Sequence, residues 1–196
     1  MHNQPQKKLI FLVFGSCLLA FSPLLILFVP LFFPVTFYYE KHTWVYYTPS
    51  INFKLFGIAL ALLILTCIVV LIIKNKKLMY TLTSIIIISA LVLFVGSALS
   101  YLKITPDGFK FRNAFQLEEQ VYKWSDMETV EYYPLADNEQ GRALYIVTFK
   151  DGETYQFKET MDIDMIRSSI KTMLTQNDVT YRNMDMVKAN EKISEE

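Results

Sequence analysis

The chain has 196 residues, 19 basic and 19 acidic side chains, and no net charge, and 53% of it is hydrophobic. The balance hides a split: residues 1–100 carry seven lysines and one acidic residue, Glu40, whereas residues 101–196 carry twelve basic and eighteen acidic side chains. An acidic second half sets nucleic acid and an anionic lipid surface aside as partners of the appended domain, and two cysteines that both sit in apolar runs, Cys17 and Cys67, set aside a disulfide framework.

Three stretches carry no charge: Leu9–Tyr39, Leu55–Ile73 and Leu78–Leu102. A helix rises ~1.5 Å per residue and the hydrocarbon core is ~30 Å thick, so about 20 apolar residues cross it. The expected layout is a membrane region over 1–102 with spans at about 9–33, 51–73 and 78–102. A soluble domain follows over 103–183, then a charged, disordered tail over 184–196. Lys7-Lys8 before Leu9–Leu19 resembles the start of a signal peptide. The run continues apolar through FSPLLILFVPLFFPVTF, so an uncleaved first span is the expectation. The same continuation discounts Cys17 as a lipoprotein cleavage site.

Span 1 contains Pro23 and Pro30, and a kink near Pro23 is expected. The loop that follows holds Phe37, Tyr38, Tyr39, Trp44, Tyr46 and Tyr47. Tyr and Trp gather where hydrocarbon meets headgroups, so this loop is expected on the membrane surface with at most a short strand-like turn. His42 lies here and reads as a solvated side chain. Asn52 and Lys54 open span 2 and can snorkel. Lys74-Asn75-Lys76-Lys77 turns the chain tightly into span 3, making an antiparallel hairpin. In span 3, Gly96 and Ser100 have the small-xxx-small spacing of close helix packing, against spans 1 and 2 or, more sharply, across a homo-oligomer.

No ionisable residue lies mid-span, which argues against a pump, a proton-coupled transporter or an intramembrane protease. The KNKK turn weighs most in orientation, because positive charge in short loops carries the inside rule. The N-terminus is therefore expected inside and residues 103–196 outside, in a multi-pass protein of the cell membrane.

After Leu102 the period changes. Thr105-Pro106-Asp107-Gly108 is a turn signal after Tyr101–Ile104. Strand-like runs follow at Phe109–Phe115, Glu119–Trp124 and Thr129–Tyr133, then a polar loop over 136–142. Leu144–Phe149 and Thr154–Phe157 flank Asp151-Gly152, a hairpin signal. Ile163, Ile166, Ile170, Met173 and Leu174 share one helical face, with Asp162 as the expected N-cap, and 179–183 suits a last strand. The fold class is thus a three-helix membrane region plus an α+β domain, an antiparallel sheet or partial barrel with one C-terminal helix. Trp124 is large enough to fill its core. Asp126 suits a chain reversal, and Gly108 and Gly152 suit turns.

The segments ITPDGFKFRN, VYKWSDMETVEYY and IVTFKDGETYQFK resemble the bacterial pleckstrin-homology-like domains of small membrane proteins from low-GC Gram-positive bacteria. In those, a strand ending in Trp leads to a Ser/Asp-x-(Ile/Met)-x-x-Val step, matched here by Trp124, Ser125, Asp126, Met127 and Val130. The resemblance covers about residues 101–176. It implies a pleckstrin-homology-like sheet with a C-terminal helix and loosely suggests an immunity or envelope-stress role.

Residues 101–196 contain no His and no Cys, which removes Ser-His and Cys-His nucleophile pairs and the usual zinc sets. The carboxylates Glu118, Glu119, Asp126, Glu128, Glu131, Asp162 and Asp164 read as a solvated face. No catalytic residue, cofactor site or metal site is expected. Besides the lipid bilayer, the expected partner is a protein or peptide held by the sheet domain. The alternative is a subunit or regulator of a membrane transport or channel complex.

Overall fold

The computed structural model describes residues 4–134 and 142–184. The polar loop expected over 136–142 and the tail over 184–196 fall almost wholly outside them. Two compact units are present. One holds the chain up to Tyr39, Thr48–Tyr101 and Arg112–Glu118; the other holds Glu40–Tyr47, Leu102–Phe111 and the chain from Glu119 on.

The first unit is three helices: α1 (Gln4–Phe37), α2 (Ser50–Ile72) and α3 (Lys76–Leu99). All three are long and apolar enough to cross a membrane. Their large apolar side chains are mostly exposed, as in Leu12, Leu24, Ile58, Ile68, Ile88 and Val92, which suits helices set in a bilayer. α1 runs four residues past its expected end, through Pro23, Pro30 and Pro34. Lys8 Nζ donates to Leu71 O at 3.1 Å, so the start of α1 caps the end of α2. Asn75 Oδ1 accepts from Lys77 N and Leu78 N and opens α3 directly after the tight turn.

Span 3 stops three residues early. Ser100 turns extended and the chain enters a strand at Tyr101. Asn52 is fully buried, contrary to the snorkelling expectation. Its amide donates to Ser100 O at 2.6 Å, and Ser97 Oγ donates to Asn52 O at 2.9 Å. Phe56 and Phe94 meet edge to face at 5.0 Å beside this polar knot.

The second unit has two four-stranded sheets. The first has spatial order β1 (Val45–Tyr47), β2 (Tyr101–Thr105), β3 (Gly108–Arg112), β4 (Gln120–Lys123). The second has order β7 (Thr154–Lys158), β6 (Leu144–Phe149), β5 (Met127–Tyr133), β8 (Thr180–Asn183). Two short helices, α4 (Met161–Met165) and α5 (Arg167–Gln176), stand between β7 and β8. A 3-10 turn at Trp124–Asp126 links the sheets.

β1 is the main departure from the sequence reading. It comes from the aromatic loop between α1 and α2 and pairs antiparallel with β2, Val45 opposite Ile104 and Tyr47 opposite Leu102. The sheet domain therefore begins before span 2, not at residue 103. β8 is a second departure, since it pairs parallel with β5, Thr129 opposite Thr180.

Alternation explains the core. In β6 and β7 every second residue is buried, which puts Tyr145, Val147, Phe149, Tyr155 and Phe157 inside. Ile163, Ile170 and Leu174 cover them from the helices, with Ile166 and Met173 packed at the margin. That is the expected apolar face. Its cap is Thr160, whose hydroxyl accepts from Ile163 N, rather than Asp162. The helix also breaks at Ile166 instead of running through.

Candidate binding surfaces

Trp124 sits at the centre of the sheet domain. Its ring meets Phe109 edge to face at 5.2 Å and lies 6.3 Å from Trp44, and Nε1 donates to Pro106 O at 2.8 Å. Burying an indole with its N–H satisfied removes the one polar cost of that side chain. Asp126 Oδ2 accepts from Lys123 N at 2.8 Å, which closes the 3-10 turn. Gly108 has φ +149°, and a Cβ there would overlap the Tyr122 carbonyl. Gly152 has φ +88° with open space around it. Trp124 is thus buried, and Asp126, Gly108 and Gly152 stand in or beside turns.

The aromatic loop divides. Trp44 packs on Trp124. Tyr47 packs on Phe157 at 6.1 Å and its hydroxyl accepts from Lys158 N. The Tyr46 hydroxyl accepts from Glu40 N. These three pack into the sheet domain. The cause is β1, whose pairing turns the loop into sheet. Tyr38 instead stays with the helices, its ring 4.5 Å from that of Tyr101, and Tyr39 is 73% exposed.

Gly96 and Ser100 are both packed within the chain. The space beside Gly96 is filled by the ring of Phe115, which comes from the β3–β4 loop with φ +66°. Ser100 is buried and accepts from Asn52.

Two charged clusters escaped the sequence reading because their members lie far apart in the chain. Lys103, in the middle of buried β2, reaches Glu40 Oε2 at 3.3 Å and Glu119 Oε1 at 3.1 Å. Lys110 also bonds Glu40. That hydrogen bond outweighs desolvation and, with Lys103, holds the Glu40 carboxyl below its ordinary range, while Glu40 raises Lys110. In the second cluster Glu159 accepts two bonds at 2.9 Å from Arg167 Nη2 and one at 3.0 Å from the Tyr145 hydroxyl. Arg167 lies over the Tyr132 ring at 5.2 Å and also reaches Asp164. Burial first, then Glu159, pushes the Tyr145 phenol up. Both clusters are closed by their own partners and tie segments together.

Among the carboxylates expected on a solvated face, Glu119, Asp126, Glu131 and Asp164 have internal partners. Among the described residues no three His, Cys, Asp or Glu side chains gather as a metal set.

The open features of the sheet domain lie along β4. Among the described residues it pairs only with β3, Val121 opposite Lys110, and forms an edge of its sheet. Val121 is 57% exposed. Beside it is a hollow of about 490 Å³ lined by Thr105, Asp107, Lys110, Tyr122 and Lys123. The Tyr122 hydroxyl donates to Asp151 at 2.8 Å, and burial and that carboxylate push its pKa up to about 12.

Three membrane-length apolar helices and an α+β domain define a multi-pass membrane protein with an appended sheet domain. No protein-family model and no curated protein matches the chain.

Proposed function

We propose that this is a non-catalytic membrane protein whose pleckstrin-homology-like domain holds a protein or peptide on the outer face of the cell membrane. Four strands, then three, then a C-terminal helical segment is the order that supports the family reading. β1 supplies the strand that residues 103–183 alone lack. β1 comes from an interhelical loop, and β8 pairs parallel with β5.

The observation that carries the binding role is the β4 edge. An unpaired strand edge offers backbone donors and acceptors, and an exposed apolar residue beside a hollow offers a side-chain contact. Native edges are usually blunted by charge, whereas Val121 leaves the middle of this one apolar. The clustered charges are already neutralised internally, which leaves strand addition as the recognition mode with the most support.

The test is a photo-crosslinking residue at Val121 in the full chain in cells. The expected result is a discrete adduct from position 121 that is absent when the probe replaces Met161, exposed on α4. Equal adducts from the two positions, or none from Val121, would overturn the reading.

A further inference from the structure

Arg112 ends β3 and belongs to the helical unit. Its guanidinium carbon lies 5.4 Å from the ring centroids of both Tyr38 and Tyr101. Its Nε is buried with no hydrogen-bond partner, and no ion pair joins it to another described residue. A guanidinium with an idle buried donor is incomplete, because an ionised donor left unsatisfied bears the full desolvation cost of its burial.

Its position says what completes it. Tyr38 follows the end of α1 at Phe37, and Tyr101 lies two residues beyond the end of α3 at Leu99. The guanidinium therefore stands where two apolar helices end, at the depth of headgroup phosphates. The rings of Tyr38 and Tyr101 lie beside it, and the loop that follows exposes two large apolar side chains, Phe115 at 53% and Leu117 at 80%.

A groove continues from this point along the helices. The Phe33 ring is 6.4 Å from that of Tyr38. Phe33 also walls a space of about 260 Å³ with Val29, Pro30, Phe56, Phe94 and Ala98. That is smaller than the roughly 300–1,000 Å³ of a drug-sized pocket, and it opens on the lipid-facing surface. Its lining is almost wholly apolar, so its occupant is hydrocarbon.

We propose that Arg112 and this groove form a binding site for one glycerophospholipid. The phosphodiester accepts hydrogen bonds from the guanidinium, whose fork suits phosphate oxygens. One acyl chain lies in the groove between α1, α2 and α3. The two tyrosine rings, 4.5 Å apart, lie together on one side of the guanidinium and leave its other side for the phosphate. The site combines charge complementarity at one end with continuity to the bilayer along its length.

The test uses the purified full chain, delipidated in detergent and offered one compound at a time. Native mass spectrometry then counts what each chain retains. Dioleoylphosphatidylglycerol is expected to be retained at one per chain. Dioleoylglycerol, with the same chains and no phosphate, and glycerol 3-phosphate, with the phosphate and no chains, are each expected to be lost. Arg112→Gln should lower retention about tenfold or more, the scale of one lost charge-assisted hydrogen bond. Ala98→Trp should lower it comparably by filling the groove while leaving Arg112 in place.

Helical circular dichroism checks each variant, and Ala98→Trp decides the matter if Arg112→Gln fails to fold. Equal retention of dioleoylglycerol would overturn the role of Arg112. Binding of glycerol 3-phosphate alone would make this a soluble phosphate-ester site. Undiminished retention by Ala98→Trp would overturn the groove.

Discussion

Lys103 Nζ stands 3.3 Å from Glu40 Oε2, although 63 positions and two membrane-length helices separate them in the chain. The lysine side chain is 7% exposed and the glutamate 38%. One end of the pair is therefore buried and the other meets water. The pair locks the strap before β1 to the middle of β2.

Glu40→Gln removes the shared anion from both Lys103 and Lys110. Lys103 keeps Glu119, and Glu40 is partly solvated. The expected loss is therefore about 1 kcal/mol rather than the roughly 3–5 kcal/mol of a fully buried pair. Thermal unfolding of the sheet domain in detergent reads it. The pH dependence follows from the lowered carboxyl of Glu40. A depressed folded-state pKa gives stability that is fully present above the ordinary value of 4.5 and lost as pH falls through the depressed one. Wild type should thus lose more stability on acidification through that window than Glu40→Gln does. Parallel acid profiles would refute the link.

The two turn glycines should behave differently when replaced by alanine. At Gly108 a Cβ overlaps the Tyr122 backbone carbonyl, and backbone cannot rotate away. Strain and overlap together should cost roughly 3 kcal/mol. At Gly152 nothing lies within 4 Å, so only the positive φ is penalised, at about 1 kcal/mol. Comparing the two melting shifts in otherwise identical chains checks the order.

Gly96 and Phe115 should be coupled. Gly96→Ala forces the Phe115 ring off α3, and Phe115→Ala leaves the groove beside Gly96 bare. Each single change should destabilise by about 1–2 kcal/mol. The double variant should be less unstable than the sum, because an alanine methyl then meets no ring. A double-mutant cycle with no coupling energy would show that the loop packs elsewhere in lipid.

The orientation is open to direct chemistry. Single cysteines replacing Asn75 and Glu128, in a background lacking Cys17 and Cys67, can be probed with an impermeant maleimide on intact cells. Both positions are exposed on the protein, at the α2–α3 turn and on β5. Labelling at 128 and not at 75 is expected for an outward sheet domain. The reverse would put the domain in the cytoplasm and invert the reading of the KNKK turn.

Most of the secondary structure was legible because its signals are local. Charge-free length marks the three spans. Thr105-Pro106-Asp107-Gly108 and Asp151-Gly152 mark hairpins, and the Ile163, Ile170, Leu174 spacing marks the helical face. What escaped was every feature made by partners distant in sequence. Val45-Tyr46-Tyr47 is three residues long and aromatic, and nothing local tells a headgroup loop from a strand. Only its partner β2, beyond two spans, makes it sheet. Lys103 alternates with apolar neighbours and reads as an ordinary surface lysine until Glu40 and Glu119 converge on it. Glu159 and Arg167 lie close enough in sequence to pair, yet their meaning comes from Tyr132 and Tyr145 on other strands. Arg112 looks like one more charge after a hairpin, and its tyrosine partners lie 74 and 11 positions away. Asn52 at the head of an apolar run suggested water rather than the carbonyl of Ser100.

The pairing of β1 with β2 also bears on how the protein is made. A ribosome delivers Val45–Tyr47 first, then the α2–α3 hairpin, and only afterwards Tyr101–Thr105. Until both helices have crossed and returned, the first strand has no mate. A nascent chain that inserted only one of them would leave its two halves on opposite faces, and the sheet could not assemble. Completion of the domain is thereby a checkpoint on membrane insertion, one that passes only chains whose hairpin has come back to the side it left.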